Sequence, residues 1–393
     1  DKSLSIRSIL LASICEGVSE IKNLLESEDS ISSINFVKKL GIKVKKNKEG
    51  YLVFGKGIGG FSNSKKIKID LGNSGTLCRL GSGLLATNKN VDLKIFGDKS
   101  LSKRNLKTLI ELLNNFGANF YPKDRNQLPL RLVSSNIPVG ISYIEKKGSA
   151  QIKSAAILAG LNAFGKTSVI VEKESRDHTE NLLRNLGAKI TKKKIKKNYL
   201  IEVQGKQALR PFKIKINGDP SSAAFFVALT ILGNKSKLKI VNVGLNPTRI
   251  GFYNLLKKYG AKIKMINIKK KNLETHGDII VRSGKIKPMN CDASYYSKTV
   301  DEYPILFVIA ALSSGVSKFK GIQGLANKES NRILEMKKLL KKINIKSKLI
   351  KNGIKIYGSK KFFIPKKFIT VNPKLDHRIC QSAAILALVS GAN

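Results

Sequence analysis

Gly218-Asp219-Pro220-Ser221-Ser222 runs directly into residues 223–232, a stretch of helical length that is apolar on every side. A helix without a polar face is expected to be buried. Five more junctions repeat the arrangement: Asp1-Lys2-Ser3 through Arg7, Gly72-Asn73-Ser74-Gly75-Thr76, Ser149-Ala150-Gln151-Ile152-Lys153, Asp301-Glu302-Tyr303-Pro304 and Asp376-His377-Arg378. Helix N-termini present free N–H groups and partial positive charge, so several converging on one cleft would form an anion receptor lined by these polar residues.

A second mark recurs in phase with the first. Amphipathic segments end in Lys39-Leu40-Gly41-Ile42, Asn115-Phe116-Gly117-Ala118, Asn185-Leu186-Gly187-Ala188 and Lys258-Tyr259-Gly260-Ala261, with Lys342-Ile343-Asn344-Ile345 as a fifth copy. Glycine after the last apolar position supplies the left-handed residue that closes a helix, and the β-rich run behind it restarts as a strand. The spacing predicts a unit of buried helix, strand, amphipathic helix and strand, copied about every 75 residues, a period apt for a pseudo-symmetric α/β fold. At 393 residues the chain exceeds what one core serves, so two domains are expected, 1–217 and 218–393, divided near Asn217-Gly218. The chain begins without Met inside the first polar motif, and the repeat pattern predicts a sixth amphipathic helix with its strands beyond Asn393.

The sequence carries 73 Lys and Arg against 27 Asp and Glu, a formal charge of +46. Taken alone this suggests a nucleic-acid binder. The lysines are instead spread through exposed faces and loops without interleaved aromatics, and the joint excess of Lys, Ile and Asn reads as compositional drift, so no nucleic-acid partner is expected. Cys15, Cys78, Cys291 and Cys380 lack metal-ligand spacing and read as small core residues of a reducing compartment. His178, His276 and His377 are not at chelating spacing, so no bound metal is expected. No apolar run reaches the roughly 20 residues that span a bilayer, and no signal peptide is visible.

Read together, the motifs resemble the 5-enolpyruvylshikimate-3-phosphate (EPSP) synthase family. The matching stretches run in order along the chain: Asp1 to Arg7, Gly72 to Thr76, Ser149-Ala150-Gln151, Ser175-Arg176-Asp177-His178-Thr179-Glu180, Gly218 to Ala223, Asn246-Pro247-Thr248-Arg249, Asp301 to Pro304, Lys328-Glu329-Ser330 with Arg332, and Asp376-His377-Arg378. The resemblance implies a two-domain, inside-out α/β fold of six βαβαββ-type repeats with helix N-termini facing an interdomain cleft. It also implies transfer of the enolpyruvyl group of phosphoenolpyruvate to the 5-hydroxyl of shikimate 3-phosphate, without cofactor, in a cytoplasmic monomer.

By the same resemblance, shikimate 3-phosphate is expected at Lys2, Ser3, Arg7, Ser149, Ala150, Gln151, Arg176, Asp301 and Lys328. Phosphoenolpyruvate is expected at Lys2, Gly75, Arg104, Gln151, Arg332 and Arg378, where arginine forks suit carboxylate and phosphate oxygens. Asp301 is the expected base, Glu329 the expected proton donor, and Lys2 shares in protonation or charge stabilisation. His178 and His377 read as supporting residues. Asn331 stands where the family commonly has Asp, which would leave Arg332 without a familiar partner, and a cationic lysine is expected beyond Asn393. The motif Cys78-Arg79-Leu80 and the Ser175 to Glu180 stretch look like the class II branch, whose glyphosate-tolerant members carry Ala at the position of Gly75. The alternatives are a UDP-N-acetylglucosamine enolpyruvyl transferase, which uses a loop cysteine, and a non-catalytic basic binding protein.

Overall fold

The computed structural model describes residues 1–62, 67–359 and 368–391. The predicted chain end at Asn393 lies outside them. The chain forms two compact units, Asp1–Asn217 with Lys271–Glu274, and Gly218–Lys270 with Thr275–Asn393.

Unit 1 contains three repeats. The first is α1 (Lys2–Ser13), β1 (Glu16–Lys22), α2 (Glu28–Lys39), β2 (Lys43–Asn47) and β3 (Gly50–Lys56). The second is β4 (Lys68–Asp70), α3 (Gly75–Ala86), β5 (Asp92–Phe96), α4 (Lys107–Asn114), β6 (Asn119–Tyr121) and β7 (Leu130–Val133). The third is β8 (Ser142–Glu145), α5 (Ala150–Gly160), β9 (Lys166–Val171), α6 (His178–Asn185), β10 (Ile190–Ile195) and β11 (Asn198–Gln204), followed by β12 (Lys213–Lys215).

In unit 2 the fourth repeat is α7 (Pro220–Leu232), β13 (Lys237–Gly244), α8 (Gly251–Lys258), β14 (Lys262–Lys271) and β15 (Glu274–Arg282). The fifth is β16 (Asn290–Cys291), the short α9 (Tyr296–Thr299), α10 (Tyr303–Ala311), β17 (Gly315–Lys320), α11 (Arg332–Lys342), β18 (Ser347–Ile350) and β19 (Gly353–Gly358), and the last described helix is α12 (His377–Ser390).

The strands pair repeat by repeat, in the orders β12-β1-β3-β2, β4-β5-β7-β6, β8-β9-β11-β10, β13-β15-β14 and β16-β17-β19-β18. Strands flanking a buried helix run parallel, as in β4 with β5, β8 with β9 and β16 with β17. In the first sheet β12 takes that place beside β1. The hairpins that close each sheet are antiparallel, for example β2 with β3 and β10 with β11.

The helices divide into two kinds, as their patterns require. Every residue of α1 from Leu4, of α5 from Ile152 and of α10 is buried. By contrast, α4, α8 and α11 bury one stripe each: Leu109, Leu112 and Leu113; Phe252, Leu255 and Leu256; Met336, Leu339 and Leu340. The helix stops share one geometry. Gly41, Gly117, Gly187, Gly260 and Asn344 have φ of +81°, +90°, +84°, +100° and +56°. In each case the following N–H bonds back five residues, as Ile42 to Val37, Ala118 to Leu113, Ala188 to Leu183, Ala261 to Leu256 and Ile345 to Leu340. This is the Schellman closure, which satisfies carbonyls otherwise left open at the helix end.

Three expectations need correction, the first being that α7, read as buried on every side, leaves Phe226 59% exposed. The apolar reading of the sixth junction helix fails, because α12 buries only one face, packed on α10 and α7, and leaves Leu388 70% exposed. Cys380 lies on that open face and is exposed, whereas Cys15, Cys78 and Cys291 are buried as expected.

Candidate active site

Five of the six polar junctions become side-chain helix caps, Glu302 ahead of α10 being the exception, and charged residues near the starts of the amphipathic helices reach back to them. In unit 1, Asp1 caps α1 by accepting from Leu4 N, Ser74 caps α3 and Ser149 caps α5. Such caps satisfy one of the free N–H groups of each first turn and leave the remaining ones for a ligand or solvent. Ala150 and Gln151 form the first turn of α5, and Gln151 Nε2 donates to Thr76 Oγ1 at 3.0 Å, so the starts of α3 and α5 lie side by side.

Cations surround these caps. Lys2, in the first turn of α1, is 3.0 Å from Asp29 of α2. Arg7 is buried; its Nε donates to Thr179 Oγ1 at 2.9 Å and its Nη1 to the Ser3 carbonyl at 3.2 Å, which ties α1 to α6. Arg104 Nη2 donates to Asn73 Oδ1 at 2.7 Å and lies over Gly75, where a β-carbon would stand 2.5 Å from Arg104 Nη1. Arg176 sits just before α6, and its carbonyl accepts from Lys153 Nζ at 2.8 Å. Lys153 itself is buried within α5, with Glu180 2.7 Å away. Glu145, whose carboxyl burial makes harder to ionise, accepts from the N–H groups of Lys147 and Gly148 and shapes the turn that leads into Ser149. His178 Nδ1 lies 2.8 Å from Glu274, one of the four residues 271–274 that pack with this unit.

Unit 2 follows the same plan. Asp219 caps α7, and Arg249 Nη2 reaches back to Asp219 Oδ1 at 3.1 Å and Ser221 Oγ at 3.0 Å. Asp376 caps α12. Arg332, at the start of α11 and 1% exposed, gathers three carboxylates: Asp376 at 2.9 Å, Glu329 at 2.7 Å and Asp301 at 3.3 Å. Burial alone would weaken its hold on the proton, but Glu329, Asp376 and Asp301 outweigh that and raise its proton affinity. Arg332 is therefore well partnered, contrary to the expectation drawn from Asn331. Asn331 serves as the N-cap of α11, accepting from Leu334 N, while Asp376 supplies the carboxylate from another helix. Lys328 immediately precedes Glu329 at the end of a 3-10 turn.

Arg378 stands at the start of α12. It is 5% exposed, its guanidinium carbon stands 5.7 Å from the centre of the Phe225 ring, and its Nε and Nη1 have no hydrogen-bond partner among the described residues. A buried guanidinium without an acceptor is costly, and an anionic ligand is the group that would satisfy it.

Among the described residues no helix is long and apolar enough to cross a membrane. The residues missed by sequence reading are Lys153, Glu180 and Arg249. All three stand within the quoted motif stretches, Lys153 inside the buried α5, Glu180 in the first turn of α6 and Arg249 just ahead of α8, but the sequence reading gave them no role.

The fold is that of the enolpyruvyl transferases: NikO from Streptomyces tendae superposes with a TM-score of 0.71 at 13% identity, over 99% of this chain and 86% of that one, a likeness of fold alone. An EPSP synthase from Acinetobacter baumannii superposes with a TM-score of 0.83 at 32% identity, over 99% and 87% of the two chains. Curated relatives named 3-phosphoshikimate 1-carboxyvinyltransferase include those of Thermodesulfovibrio yellowstonii, 38% identical over 394 residues, and of Sulfurihydrogenibium sp. strain YO3AOP1, 37% identical over 391; each alignment spans 99% of this chain and 89% of the relative. The family profile described as EPSP synthase (3-phosphoshikimate 1-carboxyvinyltransferase) matches residues 1–393, and the chain belongs to that family.

Proposed function

We propose that this protein transfers the enolpyruvyl group of phosphoenolpyruvate to the 5-hydroxyl of shikimate 3-phosphate, with release of phosphate. Family membership supports the reaction, and the buried Arg378, whose Nε and Nη1 have no hydrogen-bond partner among the described residues, is the observation that most directly calls for an anion. In unit 1, Lys2, Ser3, Arg7, Ser149, Ala150, Gln151 and Arg176 contact shikimate 3-phosphate, while Lys2, Gly75, Arg104 and Gln151 contact phosphoenolpyruvate. In unit 2, Asp301 and Lys328 serve the first substrate, and Arg332 and Arg378 the second.

Asp301 takes the proton of the 5-hydroxyl as its oxygen bonds to C2 of phosphoenolpyruvate, and C3 gains a proton from Glu329, with Lys2 sharing in protonation or charge stabilisation. The product keeps the vinyl group, so C3 returns a proton to the Glu329 carboxylate as the bond from C2 to the phosphate oxygen breaks and phosphate departs with the electron pair. The surrounding cations stabilise charge on the intermediate and the leaving phosphate, and no cofactor is required. The enzyme acts as a cytoplasmic monomer with no nucleic-acid partner.

The cysteines weigh against the UDP-N-acetylglucosamine reading. Cys15 and Cys291 are buried and their thiols pushed up to about 12, Cys78 is buried and also raised, and Cys380 lies on a helix face. None is an ionisable loop thiol. Phosphate release assayed with each substrate omitted in turn tests the proposal: release requires both phosphoenolpyruvate and shikimate 3-phosphate. Release supported by UDP-N-acetylglucosamine in place of the shikimate would overturn it.

A further inference from the structure

Lys153 has no part in the chemistry described above, yet it is 1% exposed inside α5, three residues beyond Ala150. A lysine is rarely buried so fully unless it is paired. Its ammonium divides its interactions in an informative way. The hydrogen bonds go to backbone, to the carbonyls of Arg176 at 2.8 Å and Ser175 at 3.3 Å. The countercharge comes from Glu180, which is fully buried and lies 2.7 Å from the ammonium, the third acceptor beside the two carbonyls. Glu180 thus balances the charge, while the N–H groups hold the segment 175–176. Nearby, Ser154 Oγ and Thr179 Oγ1 are 2.7 Å apart, so α5 and α6 are also joined by a neutral contact that does not need the ion pair.

We infer that Lys153 is a positioning residue for shikimate 3-phosphate: it fixes the backbone of Arg176 relative to the Ser149-Ala150-Gln151 turn, so that two separate ligand-bearing segments keep one geometry. The inference rests on the assignment of Arg176 and Ser149 to Gln151 to that substrate. Holding ligating groups in place through backbone contacts has large leverage, because small misplacements of a charged donor forfeit its bond.

The test separates positioning from mere stability. Lys153→Met alone leaves Glu180 buried without its countercharge and is expected to lower the melting temperature. Replacing a buried pair by apolar residues of similar volume is often neutral, so the double variant Lys153→Met/Glu180→Met is expected to regain the wild-type melting temperature. It should nevertheless bind shikimate 3-phosphate about tenfold more weakly by calorimetry, the worth of one hydrogen bond to a charged group. Turnover at saturating substrate and the KM for phosphoenolpyruvate should change less than about twofold, since Arg104, Arg332 and Arg378, the arginines assigned to that substrate, make no contact with Lys153 or Glu180. In an Arg176→Ala background the same double change should have no further effect on affinity. Wild-type affinity in the refolded double variant, or an undiminished loss in the Arg176→Ala background, would overturn the inference. Failure of the wild-type protein itself to bind shikimate 3-phosphate would instead overturn the substrate assignment.

Discussion

Asp301 and Glu329 are held by the two Nη atoms of a single guanidinium, Arg332 Nη1 lying 3.3 Å from Asp301 and Nη2 2.7 Å from Glu329. The proposed base and the proposed acid are thereby fixed relative to each other by one buried cation, which is itself locked by Asp376. Asp301→Asn keeps an oxygen for Arg332 but removes the proton acceptor. Turnover is expected to fall by about 10²- to 10⁴-fold, the usual range for a general base, while affinity for shikimate 3-phosphate changes only a few-fold. Steady-state kinetics with calorimetric titration checks this, and near-normal turnover would place the base elsewhere.

Arg332 and Arg378, both assigned to phosphoenolpyruvate, should differ in what their truncation costs in stability. Arg332→Ala strands three carboxylates, so a loss of about 3–5 kcal/mol in unfolding free energy is expected, the cost of breaking a buried ion pair. Arg378→Ala breaks no protein hydrogen bond among the described residues. Its stability should stay near wild type while the KM for phosphoenolpyruvate rises by about tenfold to a hundredfold, the loss of one or two charged contacts. Denaturant melts paired with kinetics decide this; equal destabilisation of the two variants would contradict it.

At Gly75 an added methyl would lie 2.5 Å from Arg104 Nη1 and 3.1 Å from Arg79 Nη1, both at the ends of flexible side chains. Gly75→Ala should therefore fold normally and displace the Arg104 guanidinium. In this family glyphosate competes with phosphoenolpyruvate, and narrowing the slot disfavours the longer inhibitor more than the compact substrate. The inhibition constant for glyphosate is expected to rise by a larger factor than the KM for phosphoenolpyruvate. Equal factors, measured at fixed shikimate 3-phosphate, would remove Gly75 from the inhibitor's surroundings.

The helix stops give a stability prediction independent of the active site. Gly187 has φ of +84°, and a β-carbon there would meet nothing closer than Arg210 at 3.9 Å. Gly187→Ala should thus cost about 1 kcal/mol, the strain of an L-residue in left-handed backbone. Asn344→Gly, at φ of +56°, should cost nothing or stabilise slightly. Chemical denaturation of both variants measures the difference.

What could be read in the sequence follows the range of the interactions involved. The closures at Gly41, Gly117, Gly187, Gly260 and Asn344 were legible because each is made within one short segment, where a left-handed residue and a backward hydrogen bond leave a fixed imprint. Burial of α10 was legible from apolarity alone, whereas α1 and α5 also bury Arg7 and Lys153. The partners of Arg332 were not, since Asp376 arrives from another repeat and Asn331 turned out to be a cap. Lys153 with Glu180, and Arg249 with Asp219, were missed for the same reason: each pair joins residues from different helix starts. Cys380 and Leu388 were misread because composition marks a helix as apolar without saying which face another element covers.

Enolpyruvyl transfer by the purified protein can be followed by NMR with carbon-13-labelled phosphoenolpyruvate and shikimate 3-phosphate. The vinyl signals of phosphoenolpyruvate should give way to those of an enol ether on the 5-oxygen, with one phosphate released per product. Release of phosphate with pyruvate as the carbon product, or no consumption of either substrate, would contradict that transfer.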